Sequence, residues 1–226
     1  MKFGTSGLRG LATDLIGLTS SLHAEAFLIH LRGIGMAEKG AAVFIGSDFR
    51  KSSPVIRSSC ASGVLAQGMF PVSCGELPTP ALANYAMGQG APCMMITGSH
   101  IPEDRNGIKF YRPDGEIGKS DEAAINRIAN QIRDGYRVTG IGDTKVGSDN
   151  GAAMSAFVGR CKNIVPANSL SGLKIGVFEH SSVARDMLHD VLNYMGVKTV
   201  ELGRSATFVA VDTAAVSDET EARLEG

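Results

Sequence analysis

The sequence predicts an α/β fold, a mixed but mostly parallel sheet with helices on both faces, followed by a second, truncated α/β unit. Three observations carry this expectation. Short apolar runs of β-like composition alternate with stretches of helical periodicity, the pattern of strands joined by crossover helices. The 226 residues are 43% hydrophobic with a formal net charge of -1, enough apolar material for a real core. A glycine-rich stretch, 140–151, breaks the alternation once, as a linker between units would.

The elements follow in order along the chain. After an N-terminal loop, a helix is expected from about Thr19 to Met36, with Phe27, Leu31 and Ile34 on one face. "AAVFIGSD" is then a strand. Ser53 and Pro54 mark a helix start, Ile56, Cys60, Gly63 and Val64 form its apolar stripe, and Gly68 suits its far end. "FPVSCG" is the next strand, a short helix follows Pro80, and "CMMIT" is a buried strand. "GIKFYRPDGEIG" reads as a β-hairpin turning at Pro113, Asp114 and Gly115. The helix from about Ser120 places Asp121 and Glu122 in its first turn, where the dipole favours acids, and Ile125, Ile128, Ala129 and Ile132 on one face.

The linker divides the chain into residues 1–142 and 143–226. In the second unit, the strand "LKIGVF", a helix from Ser182 carrying Val183, Met187, Leu188, Val191 and Met195, a stop at Gly196 and the strand "VKTVEL" make one βαβ unit. One such unit is little sheet for a stable domain, and the polar end "VSDETEARLEG" breaks off in mid-pattern.

Composition narrows the function classes. A near-neutral chain lacks the basic face that nucleic acid requires. No apolar run reaches membrane-spanning length, and "MKFGTSGLRG" is polar where a signal peptide would be apolar, so a cytoplasmic location with no membrane partner is expected. Cys60, Cys74, Cys93 and Cys161 lack metal-ligand spacing and read as reduced thiols. His23 and His30 lie two turns apart on one helix, too far for a shared metal; these, and His180 and His189, read as structural. No Walker A or G-x-G-x-x-G fingerprint supports nucleotide binding.

The chemistry concentrates in "MITGSHIPEDRNGIKFY", at the carboxyl end of a predicted strand, where open α/β sheets place ligands. Gly98 is expected to bend the backbone before Ser99, and the polar run through Asn106 to lie outside the core. A hydrolase-like Ser99 and His100 pair is disfavoured, because neighbours in an extended loop point opposite ways. Phosphoryl transfer suits better: a loop hydroxyl can carry a phosphate, with His100, Arg105 and Lys109 near in sequence to offset its charge. From spacing alone, a surface turn and a catalytic loop are equal readings. At the N-terminus, "FGTSGLRG" offers free amides, Thr5, Ser6 and the Arg9 guanidinium, which together suit a phosphate.

Taken together, "FGTSGLRG", "GSDFRKSSP", "GELPTPAL" and "TGSHIPEDRNGIKFY" resemble, in order and spacing, the first domain of the α-D-phosphohexomutases, the phosphoglucomutase and phosphomannomutase superfamily. The second unit, with "GVFEHSSVARDMLHDVLNYMGVKTVELGRS", is similar to bacterial phosphomannomutases. The resemblance implies that Ser99 carries a phosphoryl group exchanged with a hexose 1- or 6-phosphate through a bisphosphate intermediate, with mannose favoured and hexose 1,6-bisphosphate as activator. It implies that Lys109 assists proton transfer or neutralises charge, that Arg9 faces the same centre, and that His100 shapes the loop or contacts phosphate. Thr5, Ser6 and Asn106 are implied in phosphate or substrate binding, and Mg²⁺ is implied as cofactor through the Ser99 phosphate.

Departures are visible at Ile101, Asp104 and Arg105, and "FEHSSVARD" stands where the family has a glycine-rich turn. The family's D-G-D-x-D-R metal loop, its sugar-selecting loop and its C-terminal phosphate-binding domain have no counterpart in these residues. The expectation is therefore the N-terminal half of a phosphohexomutase, inactive alone. The alternatives are phosphoglucomutase, phosphoglucosamine mutase, or a non-catalytic phosphosugar-binding module.

Overall fold

A computed structural model describes residues 2–4, 7–135, 146–209 and 221. Its main sheet is antiparallel on one side and parallel on the other. Strand β1 (Lys2–Gly4) pairs antiparallel with β2 (Gly7–Leu11), and β2 with β6 (Arg105–Arg112). β6 is antiparallel to β5 (Cys93–Ile96), and from β5 the sheet continues in parallel through β3 (Ala42–Ser47) and β4 (Phe70–Glu76). The two-residue β7 (Gly115–Glu116) returns along β6, completing the expected hairpin.

Helices cover both faces. On one lie α2 (Leu18–Gly33), α3 (Ser53–Ala66) and α5 (Lys119–Ile132). Phe27, Ile56, Ile108 and Phe110 are buried among them, the rings of Phe27 and Phe110 with centroids 5.1 Å apart. On the other lies α4 (Thr79–Gly88), over a second core of Leu77, Leu82, Cys93 and Met95. Alternation along the strands separates the two cores: Ile96 and Ile108 point to one, Met95 to the other. Cys60, Cys74 and Cys93 are buried free thiols whose pKa values burial pushes up, as expected of inert cysteines.

The structure departs from expectation in several places. A one-turn helix α1 (Ala12–Leu15), which lacks a periodic pattern, precedes α2. Helix α2 ends at Gly33, closed by the Met36 N–H donating to the Leu31 carbonyl at 2.8 Å, so Ile34 lies past the apolar face and is 46% exposed. The expected linker 140–151 falls partly outside the described residues, and its described part is ordered: β8 (Gly147–Ser148) pairs in parallel with β4. Helix α6 (Ala152–Lys162) then packs on α4 through Ala153, Met154 and Phe157. A two-residue strand and a short, alanine-rich helix leave too little periodicity to read.

The βαβ unit is present as β9 (Lys174–Phe178), α7 (Arg185–Tyr194) and β10 (Lys198–Leu202), its strands parallel. Helix α7 begins at Arg185 rather than Ser182, and within it Val191 alone of the expected apolar stripe is buried, because two strands present only a narrow surface. Lys162 of α6, the helix packed on α4, donates to Asp190 of α7 at 2.7 Å.

Two contacts fix the helical layer. Gly63 of α3 lies so close to α2 that a Cβ there would strike the Ser21 carbonyl oxygen. The buried Asp121 carboxylate accepts from the Gly118 N–H at 2.8 Å, Arg112 at 3.0 Å and His30 Nε2 at 2.8 Å, tying the start of α5 to β6 and α2. Burial alone would raise the pKa of Asp121, but His30, the Gly118 N–H and Arg112 together hold it below the usual carboxylate value.

Two outcomes are expected in chemical denaturation. Gly63→Ala should cost about 1–3 kcal/mol through overpacking, against the about 1 kcal/mol that alanine contributes as a better helix former. The stabilisation from Asp121, with its depressed folded pKa, should be present above the unfolded carboxylate pKa and be lost as pH falls through the folded one. Asp121→Asn should remove that acid-limb slope, and an unchanged slope would refute the assignment.

Candidate active site

The carboxyl ends of β3 and β5 lie side by side, with Ser47 opposite Ile96. The chain leaves β3 into Asp48–Arg50 and leaves β5 into the loop 97–104. The Asp48 N–H donates to the Ile96 carbonyl at 2.9 Å, closing the two ends together. Both oxygens of the Asp48 carboxylate are occupied. Oδ1 accepts from the Arg50 N–H at 3.1 Å and Ser53 Oγ at 2.6 Å, Oδ2 from Thr97 Oγ1 at 2.9 Å and the Gly98 N–H at 3.2 Å.

Arg50 is 1% exposed, and its guanidinium donates to four loop carbonyls: Pro102 at 2.6 Å, Arg105 at 3.0 Å, Ser99 at 3.1 Å and Ile101 at 2.5 Å. Its Nε lies 3.3 Å from Asp48 Oδ2, so the buried charge is compensated. A planar, five-donor group is the side chain that can hold so many acceptors at once. Arg50 also determines what residue 98 can be: a Cβ there would sit 2.5 Å from its Cζ and Nε. Position 98 thus requires glycine for space, and the expected bend falls one residue later, at Ser99, with φ of 55°.

That φ changes the reading of Ser99 and His100. Opposite pointing holds for extended backbone, and Ser99 is left-handed, so its Oγ comes within 3.3 Å of His100 Nδ1. The Ser99 N–H donates to Thr97 Oγ1 at 3.0 Å, and the side chain is exposed. Arg9 and Lys109 stand on the same face of the sheet as Thr97. Arg9 pairs with Gly107, whose position faces the Arg9 Cγ, and Lys109 follows two residues on. Lys109 Nζ lies 3.8 Å from Glu116.

Two expectations fare differently. Thr5 and Ser6 lie outside the described residues. Asn106 is fully buried, against its expected exposed phosphate-binding role: its Nδ2 donates to Ser52 Oγ at 2.9 Å and Ser53 Oγ at 3.0 Å, and its Oδ1 accepts the Gly107 N–H at 2.8 Å. Buried and with both Nδ2 hydrogens bonded, the amide anchors the base of the loop.

Sequence reasoning passed over Asp48 and Arg50 as individual site residues, although "GSDFRKSSP" contains them; an acid and an arginine two apart at a strand end are the available signal. His180, read as structural, lines with Thr97, Ser99, His100 and Phe208 a cavity of about 250 Å³.

A Mg²⁺ ion at Ser99 does not find its ligands among the described residues. Asp48 is spent on four hydrogen-bond donors and the ion pair with Arg50. The single His/Cys/Asp/Glu cluster of ligand geometry among those residues is Glu179, His189 and Glu201 in the second unit. There Glu179 Oε1 already accepts from His189 Nε2 at 2.9 Å and Arg204 at 3.1 Å. Mg²⁺ demands several oxygen ligands, so the Ser99 side chain alone is not a metal site.

If Arg50 organises the loop, Arg50→Lys, which keeps the charge but not the fork, should cost about 2 kcal/mol or more in denaturation. It should also speed hydrogen exchange at the Ile101 and Arg105 amides, which are bonded within the loop. Exchange unchanged at both amides would remove Arg50 from this role.

Comparison with known proteins bears on the same residues. The family model for phosphoglucomutase/phosphomannomutase, alpha/beta/alpha domain I, matches residues 1–135. A phosphomannomutase of Sinorhizobium fredii is 49% identical over 97% of this chain and 46% of its own length. A phosphoglucosamine mutase of Sphingopyxis alaskensis is 30% identical over 89% of this chain and 45% of its own. The crystal structure of a phosphoglucomutase/phosphomannomutase family protein from Burkholderia thailandensis superposes with a TM-score of 0.66 at 24% identity, over 91% of this chain and 44% of that one, a likeness of fold. The chain spans about half the length of the curated relatives it matches. With the domain I match covering the sheet, the Arg50 anchor and the Ser99 loop, the chain belongs to the phosphoglucomutase/phosphomannomutase family.

Proposed function

We propose that this chain is the phosphoserine-bearing half of a phosphohexomutase that interconverts hexose 1-phosphate and 6-phosphate, with mannose as its sugar. One observation carries the proposal: the exposed Ser99 hydroxyl is presented on a loop whose carbonyls are pinned by a buried guanidinium, beside His100. In this reading Ser99 Oγ holds a phosphoryl group. A sugar hydroxyl attacks its phosphorus, the P–Oγ bond breaks, and the sugar's proton reaches Oγ with assistance from Lys109. The hexose bisphosphate then reorients and returns its other phosphoryl group to Ser99. The cations Arg9 and Lys109, on the face shared with Thr97, offset the charge of the transferring group.

Mannose is favoured by the 49% identity to a phosphomannomutase, against 30% to a phosphoglucosamine mutase, which makes glucosamine the second reading. Mg²⁺ dependence belongs to the whole-protein proposal, with oxygen ligands from outside the described residues. Hexose 1,6-bisphosphate as activator and a cytoplasmic setting belong to it as well; among the described residues, no helix is long and apolar enough to cross a membrane.

The protein purified from its source is expected to convert mannose 1-phosphate to mannose 6-phosphate faster than it converts the glucosamine phosphates, in the presence of Mg²⁺ and hexose 1,6-bisphosphate. Ser99→Ala should lower turnover to background. Residual turnover near that of the wild type in Ser99→Ala would refute the phosphoserine, and faster turnover of glucosamine phosphate would favour the second reading.

A further inference from the structure

The cavity beside Ser99 has a wall from each unit, and the second unit's wall is unusual. His180 there has φ of 36°, a left-handed conformation that histidine adopts at a cost. No protein atom among the described residues hydrogen-bonds its imidazole, whose Nδ1 is buried and without a partner. Its ring rests on Phe178, with centroids 5.7 Å apart. A strained backbone that presents a ring with no hydrogen bond is poor design for stability alone, because a buried unmet polar atom is costly.

The surroundings hold His180 in that pose. Its carbonyl accepts the Ser205 N–H at 2.9 Å and Arg185 at 3.4 Å, and Arg185 also donates to the Ser205 carbonyl at 2.8 Å. The Arg185 guanidinium lies 5.0 Å over Phe49 of the first unit, and Phe49 lines the same cavity as Ser99 and His180. The neighbouring hydroxyl of Ser181 is engaged with Val209, so within this turn the imidazole and Glu179 Oε2 are the side-chain groups left over, and of these His180 lines the cavity.

We infer that His180, supplied by the second unit, is a further substrate-contacting residue of the Ser99 site, donating a hydrogen bond to a phosphate oxygen of the hexose phosphate bound in the shared cavity. The inference rests on the phosphohexomutase reading. A cavity of about 250 Å³ is close to the lower end of ligand-pocket sizes and holds a phosphate group with part of a sugar. Burial, with the nearby Arg185 cation, pushes the His180 pKa down, which favours the neutral ring. A neutral imidazole keeps one N–H, and with Nδ1 buried and without a partner the donor is best placed on Nε2.

The test uses the 226-residue chain with mannose 1-phosphate as probe, followed by calorimetry and by the ring ¹⁵N resonances of His180. The expected result is binding by the wild type with a shift of the His180 ring resonances on addition of the probe. His180→Gly should bind about tenfold or more weakly, the weight of a hydrogen bond to a charged group. Its thermal midpoint should be kept or raised, because glycine accepts the left-handed backbone. A residue that served only to hold the turn would lose stability before affinity. Wild-type binding with an unmoved His180 ring and undiminished affinity in His180→Gly would overturn this inference and leave the mutase reading standing. No binding of mannose 1-phosphate by the wild type would overturn this inference alone, and the mutase reading is decided separately by the turnover of the protein from its source and of Ser99→Ala. Should the glycine variant unfold, the ring resonances of the wild type decide alone.

Discussion

The Arg50 guanidinium is the constraint on which the site depends. A buried positive charge is tolerated only when its desolvation is met by a counter-charge and by acceptors of good geometry. Asp48 provides the first, and the carbonyls of Ser99, Ile101, Pro102 and Arg105 the second. The loop therefore wraps a cation instead of a hydrophobic core, which lets a polar, exposed segment keep one conformation. The same contact leaves room only for glycine at position 98 and helps sustain the left-handed Ser99, a conformation costing on the order of 1–2 kcal/mol for a non-glycine residue. Local strain at Ser99 is held by packing that surrounds it.

The second unit completes this arrangement from outside. Phe208 lies 4.1 Å under the Arg50 guanidinium, and Phe49 of the first unit lies 5.0 Å from that of Arg185. Each unit thus lends an aromatic ring to the other's organising arginine. Cation–π contacts gain when water is excluded, so the two pairs are worth most when the units are apposed. Through them the loop that bears Ser99 and the turn that bears His180 are held across one cleft.

Much of the fold was legible in the sequence because burial imposes periodicity. The Ile56, Cys60, Gly63 and Val64 stripe of α3, the apolar run of β5 and the acidic first turn of α5 are direct consequences of where those side chains sit. What escaped is equally physical. Strand β8 was read as linker and α6 was not read as an element, because a two-residue strand has no period and a helix of small residues carries little amphipathic signal. In the site, Ser99 and His100 stood out as chemistry-bearing types at a strand end, and Arg9 and Lys109 as cations of the neighbouring motifs. Asp48, Arg50 and His180 did not, since their roles come from partners about fifty residues away or from a backbone angle. Asn106 shows the converse error: polarity suggested exposure, while a buried amide with both Nδ2 hydrogens bonded is as much core as an isoleucine.

If the anchored loop exists to carry phosphate on Ser99, mass spectrometry of the Ser99 peptide, from protein purified from its native source under phosphatase inhibition, should find a phosphoryl group on Ser99 itself. A bare Ser99 in every preparation, or phosphate confined to another serine such as Ser182, would contradict that role.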